Sequence, residues 1–535
     1  MKKWLGENKF HLLSIAAIFI LFIASILVRD KELNTDISAE QEWITAHILI
    51  TNQVWEEGGG PSKFKFSPVY TYKGAGNKKI SAFGGVMDEN GNQYYVSYPP
   101  FAFLFAYYST KILGGSDVFN LRAVSLILHF FCCFLLYLVF KNLHHKQGDF
   151  VCIAGFVAVT LYLFSAGTLW MHSILYFSDM LVQIFVIWTL YLVIKLYKSE
   201  TKNPKSLLIS LAAITFLACY TEWLALFIAF ILGIVFLIWY FKKKEKKFLH
   251  AFLLVGLTAA LALFTTITQY SSIAGFQSFK EVSTNKYDQR SGHGDQKISA
   301  AGFNLENPDS FELLNDNITR NFWMVENLLP IVAILFVLFI LWRKTRQKIK
   351  DTHLKVALLA VLTLSIFLHY SLFFNFNALH NFSNLKTGFL FIFIIGLMLL
   401  IIEEAITLKW KIALSMGIFL LIGLKLPVEI GRFHSFCEGE PYAIHYSESA
   451  DYMRDYCPED TYAFTNLPYT QAEYIYRAQH LPFRVQDTSA IHFYMNYFDT
   501  DVAQYYHHEN LELTYVLDLK RVDEKFVVVK RQDRY

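Results

Sequence analysis

Cysteine is scarce in this chain, with six among 535 residues, and none stands in a Cys/His spacing that would hold zinc. A glycine-rich phosphate loop is also missing, since Gly58-Gly59-Gly60-Pro61-Ser62-Lys63 lacks the P-loop arrangement and reads as a turn. Net charge is close to absent, 48 Lys and Arg standing against 45 Asp and Glu to leave +3. No basic surface for nucleic acid is implied. No internal repeat is visible, whereas a secondary transporter usually shows paired halves with broken helices.

Apolar residues are what the chain has in quantity. It is 54% hydrophobic and 17% aromatic, with a mean hydropathy of +0.33. About eleven runs each approach the roughly 20 residues needed to cross a bilayer core of about 30 Å. They lie near 11–28, 118–140, 150–168, 170–194, 206–222, 223–241, 248–268, 322–342, 354–374, 385–402 and 411–430. A helix satisfies its own backbone in lipid, so the expected fold is a polytopic α-helical membrane protein. Met1 to Lys9 and the run behind it have the layout of a signal peptide. Arg29-Asp30-Lys31-Glu32 follows without a small-residue cleavage pattern, and the run reads as a retained anchor.

The short connections carry Lys and Arg: Lys141 to Lys146, Lys195 to Lys205, Lys242 to Lys247, Arg343 to Lys350 and Glu403 to Lys411. By the positive-inside rule they are cytoplasmic, as is the N-terminus. The long polar segments 29–116, 269–321 and 431–535 are then expected on the other face. Residues 1–430 read as the membrane domain. Residues 431–535 alternate helical and strand-like stretches, which predicts a small extracytoplasmic α/β domain. Cys437 and Cys457 lie there, as a disulfide or as two free thiols.

Directly after the first run, a helical pattern leads to about Trp55 and sets Asp36, Glu40, Trp43 and His47 on one stripe beside an apolar one. This predicts a helix lying on the membrane surface. Asp36 also reads as a helix N-terminal charge, with Ser38-x-x-Gln41 as a capping box. Further on, Val86 to Tyr98 predicts a hairpin around Asn90-Gly91. Pro99-Pro100 then opens an apolar stretch of about 13 residues, short enough for an interfacial helix rather than a span. Asp179 lies inside an apolar run and calls for a partner or water. Glu222 reads as a turn residue, His129 and His369 as packing residues, and Arg290-Ser291-Gly292-His293-Gly294-Asp295 as a mobile loop, either an acceptor-side lid or an ordinary connection.

Taken in order, these elements resemble the GT-C superfamily of integral-membrane glycosyltransferases, in the branch of protein O-mannosyltransferases and aminoarabinose transferases. The likeness rests on Asp36 after the first span, on Tyr98-Pro99-Pro100 before an interfacial helix and Arg122, on His172 with Asp179, and on His380-Asn381-Phe382. It departs from relatives at Ser97 and Tyr98, where an acidic and a basic residue are common. It departs again at Asn381, where many have Asp.

The resemblance implies transfer of a sugar from a polyprenyl-phosphate donor to a glycan, lipid or protein acceptor at the non-cytoplasmic face, as in the inner membrane of a bacterium. Asp36 is then the first candidate for general base and Glu40 the second. Arg122, His172, His380 and Lys386 are candidates for the donor phosphate, and Tyr98 and Asp179 for the substrate site. Some branches of the superfamily use a divalent metal, but this sequence offers no ligand set for one. The alternatives are a polytopic transporter and a polymerase or ligase of lipid-linked glycans.

Overall fold

The computed structural model describes residues 9–71, 85–145, 151–201, 204–292, 308–342, 351–438, 441–458, 461–467, 472–485, 488–497, 500–522 and 525–533. The expected features at Lys146, Arg343 to Lys350 and His293 to Asp295 lie outside these residues.

The chain opens with α1 (Lys9–Leu33), α2 (Trp43–Glu57) and strand β1 (Val69–Thr71). The predicted hairpin follows as β2 (Val86–Met87) and β3 (Gln93–Tyr94), with Asp88 accepting hydrogen bonds from the Asn90 and Asn92 amides, each at 2.9 Å. The Pro-Pro element introduces α3 (Phe101–Leu113), which ends at left-handed Gly114. The next helices are α4 (Val118–Leu143), α5 (Ile153–Phe164), α6 (Ala166–Met171), α7 (Ser178–Lys198), α8 (Lys205–Cys219) and α9 (Leu224–Lys243). They continue with α10 (Lys246–Ala274), α11 (Phe276–Ser291), α12 (Pro308–Trp342), α13 (Thr352–Leu372), α14 (Phe374–Leu379), α15 (Leu385–Ala405) and α16 (Leu408–Cys437).

Nine helices among the described residues are long and apolar enough to cross a membrane, against about eleven expected. The runs at 150–168 and 206–222 account for the difference. The first is divided at Ser165 into α5 and α6, and the second is α8, with 15 residues. The run at 170–194 also breaks, so that α7 begins only at Ser178. The expected loop at 269–321 is largely helical, its two described ends lying in α10, α11 and α12. This is an integral, multi-pass membrane protein.

Two compact units are built from this chain. One comprises residues 1–34, 122–267 and 284–435. Within it α7 and α15 are the most buried spans, and α16 and α10 the least; α1 is also open, with Phe19, Ile20 and Leu27 more than half exposed where lipid would lie. The basic helix ends converge: Lys198 donates to the carbonyls of Leu143 and His144, Lys247 to that of Ser199, and Lys355 pairs with Glu404 at 2.7 Å.

A deliberate break organises this unit. Helix α12 loses helical geometry at Phe322, leaving carbonyls on one side and amides on the other without partners. From α16, Glu429 accepts the Met324 amide at 2.8 Å, and Arg432 donates to the Thr319 and Arg320 carbonyls at 3.2 and 3.3 Å. The same Glu429 carboxylate accepts the Ala166 amide at 2.6 Å, which starts α6 after the Ser165 break. Close approach needs glycine here. A Cβ at Gly167 would stand 2.8 Å from the Asn321 side chain, and one at Gly388 would overlap the Phe322 ring.

The other unit comprises residues 35–121, 268–283 and 436–535. Its C-terminal part holds α17 (Pro441–Tyr456), α18 (Ala472–Ala478) and α19 (Thr488–Tyr497) with a five-stranded sheet. The strands are β4 (Tyr462–Thr465), β5 (Phe483–Arg484), β6 (Val502–Glu509), β7 (Glu512–Val522) and β8 (Lys525–Asp533), in the order β5-β4-β6-β7-β8. The β4 pairings are parallel and those from β6 to β8 antiparallel, with Tyr506, Val516 and Ala463 among the core. Cys437 and Cys457 are free thiols.

Gly388→Ala is expected to destabilise the protein by about 1–3 kcal/mol through overpacking against Phe322. Gly423→Ala, whose Cβ would meet nothing within 4 Å, should leave the melting temperature in detergent unchanged. Glu429→Ala strands two amides at about 1–3 kcal/mol each, and Glu429→Gln, which keeps an acceptor oxygen, should lose less in the same melting experiment.

Candidate active site

The candidate residues divide between the two units. Asp179, His172, His380, Lys386 and Arg122 belong to the first, and Asp36, Glu40 and Tyr98 to the second.

In the first unit, the ends of α7, α11, α13, α14 and α15 bring charged side chains together. Asp179 stands in the first turn of α7, 6% exposed, and its Oδ2 has no hydrogen-bond partner. Its charged neighbours are Glu222, Lys386 and Arg290. Lys386, in the first turn of α15, donates to Asn377 Oδ1 at 2.7 Å and to the Ser383 carbonyl, with Tyr370 beneath it at 5.0 Å. Glu222 accepts the Leu224 amide at 2.7 Å with one oxygen, and its other lies 3.3 Å from His369 Nε2. Asn377 joins the chain by contacting His369 Nδ1 at 3.3 Å. Buried charges of both signs thus offset one another, which is how a membrane interior tolerates them.

Helix α11 adds Lys286 and Arg290, one turn apart. Burial, and after it the Arg290 charge, push the Lys286 amine down to about 8. Arg290 lies over Phe376 at 5.0 Å, and Asn375 donates to the Gln289 carbonyl at 2.7 Å. His380 stacks on Phe382 with ring centres 5.3 Å apart. Burial first and Arg290 second push its imidazole down to about 4, so it is neutral at pH 7. The segment is pinned by the α12 break, since Asn317 donates to the Ala378 carbonyl at 2.8 Å and Asn321 to that of Asn381 at 3.0 Å.

Arg122 and His172 are placed differently from that cluster. Arg122 donates to the Glu32 and Leu33 carbonyls at 3.2 and 3.1 Å and thereby caps the end of α1. His172 is fully buried, with Nε2 3.1 Å from the Tyr162 hydroxyl and its ring stacked 4.5 Å from His129. His129 Nδ1 in turn faces Arg29 Nη2 at 3.0 Å. Arg29 is fully buried within α1, and its Nε and Nη1 have no hydrogen-bond partner.

In the second unit, the expected surface helix is corrected. Asp36 and Glu40 precede α2, and left-handed Gln41 at φ 59° breaks any common stripe with His47. Ser38 and Gln41 form no capping box; the Glu42 carboxylate instead accepts the Ser38 and Ala39 amides, at 2.8 and 2.9 Å, in the turn ahead of α2, and no side chain caps the helix start itself. Helix α2 is buried on every side, from Ile44 to Trp55, and so does not lie half in lipid. Burial pushes the His47 imidazole down to about 3. Asp36 is 78% exposed and pairs with Arg477 at 3.2 Å, while the Glu40 amide donates to the Phe436 carbonyl. Tyr98 is buried, its carbonyl accepting the Tyr270 hydroxyl at 2.5 Å.

Sequence reasoning missed Lys286, Arg290, Asn377 and Tyr370 as site neighbours, and gave Glu222 and His369 structural readings. The buried Lys386 was the available signal, because an ammonium at a helix start needs partners nearby. Among the described residues, the only His, Cys, Asp or Glu group whose ligand atoms could meet on one metal ion is His144, His145 and Glu404. Glu404 there is already paired with Lys355.

No protein-family model and no curated protein matches the sequence. Solved structures do match the fold. The apo oligosaccharyltransferase of Archaeoglobus fulgidus aligns at TM-score 0.56 and 11% identity, over 92% of this chain and 69% of that one. The oligosaccharyltransferase AglB of the same organism, in complex with an inhibitory peptide and a dolichol-phosphate, aligns at TM-score 0.55 and 11% identity over 94% and 70%. ArnT of Cupriavidus metallidurans bound to undecaprenyl phosphate aligns at TM-score 0.56 and 10% identity, over 97% of both chains. Through these similarities, the chain shares the fold of the oligosaccharyltransferase and ArnT structures.

Proposed function

We propose that this protein is an inverting glycosyltransferase that moves a sugar from a polyprenyl-phosphate donor to an acceptor on the non-cytoplasmic membrane face. The observation that carries this reading is the gathering of Lys386 and Arg290 around Asp179 at the buried helix ends, with Lys286 near Arg290. The reading is supported by the shared fold, two of whose members are solved with a dolichol-phosphate and with undecaprenyl phosphate. A phosphate group leaving from an anomeric carbon needs cations and strong donors in a site shielded from water. Lys386 and Arg290 supply them. The neutral His380 adds a weaker contact.

The acceptor hydroxyl forms the new bond to the anomeric carbon from the face opposite the phosphate. Its proton passes to a carboxylate, and the carbon–phosphate-oxygen bond breaks with its electron pair going to the lipid phosphate. Asp36 is our choice for that carboxylate because exposure keeps it reachable by an acceptor and Arg477 holds it at 3.2 Å. Asp179 is the rival, with an unpartnered oxygen already among the cations. In this reading the C-terminal region from 431 onward serves acceptor recognition.

Asp36→Asn is expected to lower kcat by about 10²–10⁴-fold while donor affinity in lipid nanodiscs stays within twofold, with Glu40→Gln milder. Retained turnover in that variant, together with an inactive Asp179→Asn protein, would move the base to Asp179. For the phosphate, Lys386→Ala and Arg290→Ala should each weaken donor binding by about 1.5–3 kcal/mol. Arg122→Ala should act mainly on stability, because its donors hold the α1 carbonyls. Equal donor affinity in the Lys386 and Arg290 variants, with solute uptake by sealed vesicles, would favour a transporter.

A further inference from the structure

Within the second unit, α18 packs against α2 and carries Arg477. That guanidinium is fixed by Asp451 of α17, with Nε donating to Oδ1 at 2.9 Å and Nη2 to Oδ2 at 2.6 Å. This is the two-pronged geometry in which arginine loses least freedom per bond. The hydrogen bond from Arg477 is the main reason the Asp451 carboxyl stays below the usual carboxylate range. With that fork occupied, Nη1 is turned to Asp36 Oδ2 at 3.2 Å.

Stability does not account for the second contact. Asp36 is 78% exposed, and an exposed pair contributes about 0–1 kcal/mol. Two neighbouring charges are committed elsewhere. Arg454 pairs with Asp451 and Asp455, and the Glu42 carboxylate accepts the Ser38 and Ala39 amides.

We propose that Arg477 is a positioning residue for Asp36, so that the C-terminal region orients the catalytic base as well as meeting the acceptor. This inference rests on Asp36 being the base. Asp451 sets the direction of the guanidinium, and Arg477 fixes one carboxylate oxygen of Asp36 and leaves the other to take the acceptor proton.

The test is steady-state turnover by the full-length protein in nanodiscs, with kcat, acceptor KM, donor affinity and melting temperature measured separately. Arg477→Gln should lower kcat about tenfold while acceptor KM and donor affinity stay unchanged. Arg477→Lys should restore only part of kcat, since an ammonium keeps the charge but not the fork. Asp451→Asn loosens the fork without removing the cation, and it should lower kcat several-fold. A higher acceptor KM at unchanged kcat in Arg477→Gln, or a loss of kcat matched by a loss of folded protein, would overturn the proposal and leave a purely structural contact. An active Asp36→Asn protein would remove the base reading and this proposal together. An inactive Asp36→Asn with wild-type kcat in Arg477→Gln would remove this proposal alone.

Discussion

The membrane unit turns on one buried carboxylate. Glu429 accepts two backbone amides from two broken helices, at Ala166 and at Met324, in a setting where either amide left alone would be costly. Its neighbour one turn on, Arg432, takes the carbonyls that the same α12 break exposes. An acid and a base on α16 therefore close both sides of a discontinuity, in the manner of a helix N-cap and C-cap supplied from another helix. Asn317 and Asn321 on the first half of α12 then set the α14–α15 connection, and that connection carries His380, Asn377 and Lys386. The position of the polar cluster follows from where α12 is interrupted.

Much of this architecture is legible in the sequence because bilayer thickness leaves few choices. The long apolar runs, the hairpin at Asn90-Gly91, the short helix after Pro99-Pro100 and the mixed C-terminal region are recovered from local pattern. The breaks are not. Ser165 and Phe322 carry no proline signal, and their geometry depends on residues far along the chain, Glu429 at both breaks, Gly388 against Phe322 and Asn321 against Gly167. The segment after α1 defeats periodicity for a related reason, since Glu42 folds the chain back on Ser38 and Ala39 before the helix begins.

The candidate site was legible in its polar residues but not in their company. Asp179 and Lys386 stand out as charges inside apolar runs, and the structure brings both to one cluster. Arg290 was hidden in a run of loop-forming residues, although it lies in a helix. Glu222 and His369 each look like ordinary packing groups until they are seen facing each other at 3.3 Å. Pairwise partnership across 147 positions leaves no local trace.

Arg29 ties the first span to a later one. Its guanidinium lies inside α1 and faces His129, an acceptor on α4 that lies 100 residues further along the chain. A guanidinium near the end of a span needs such a partner or the headgroups. Arg122 of α4 also seals the α1 carbonyls. The two helices are thus tied at both contacts, so a generic leucine-rich anchor in place of α1 would span the bilayer without either of them.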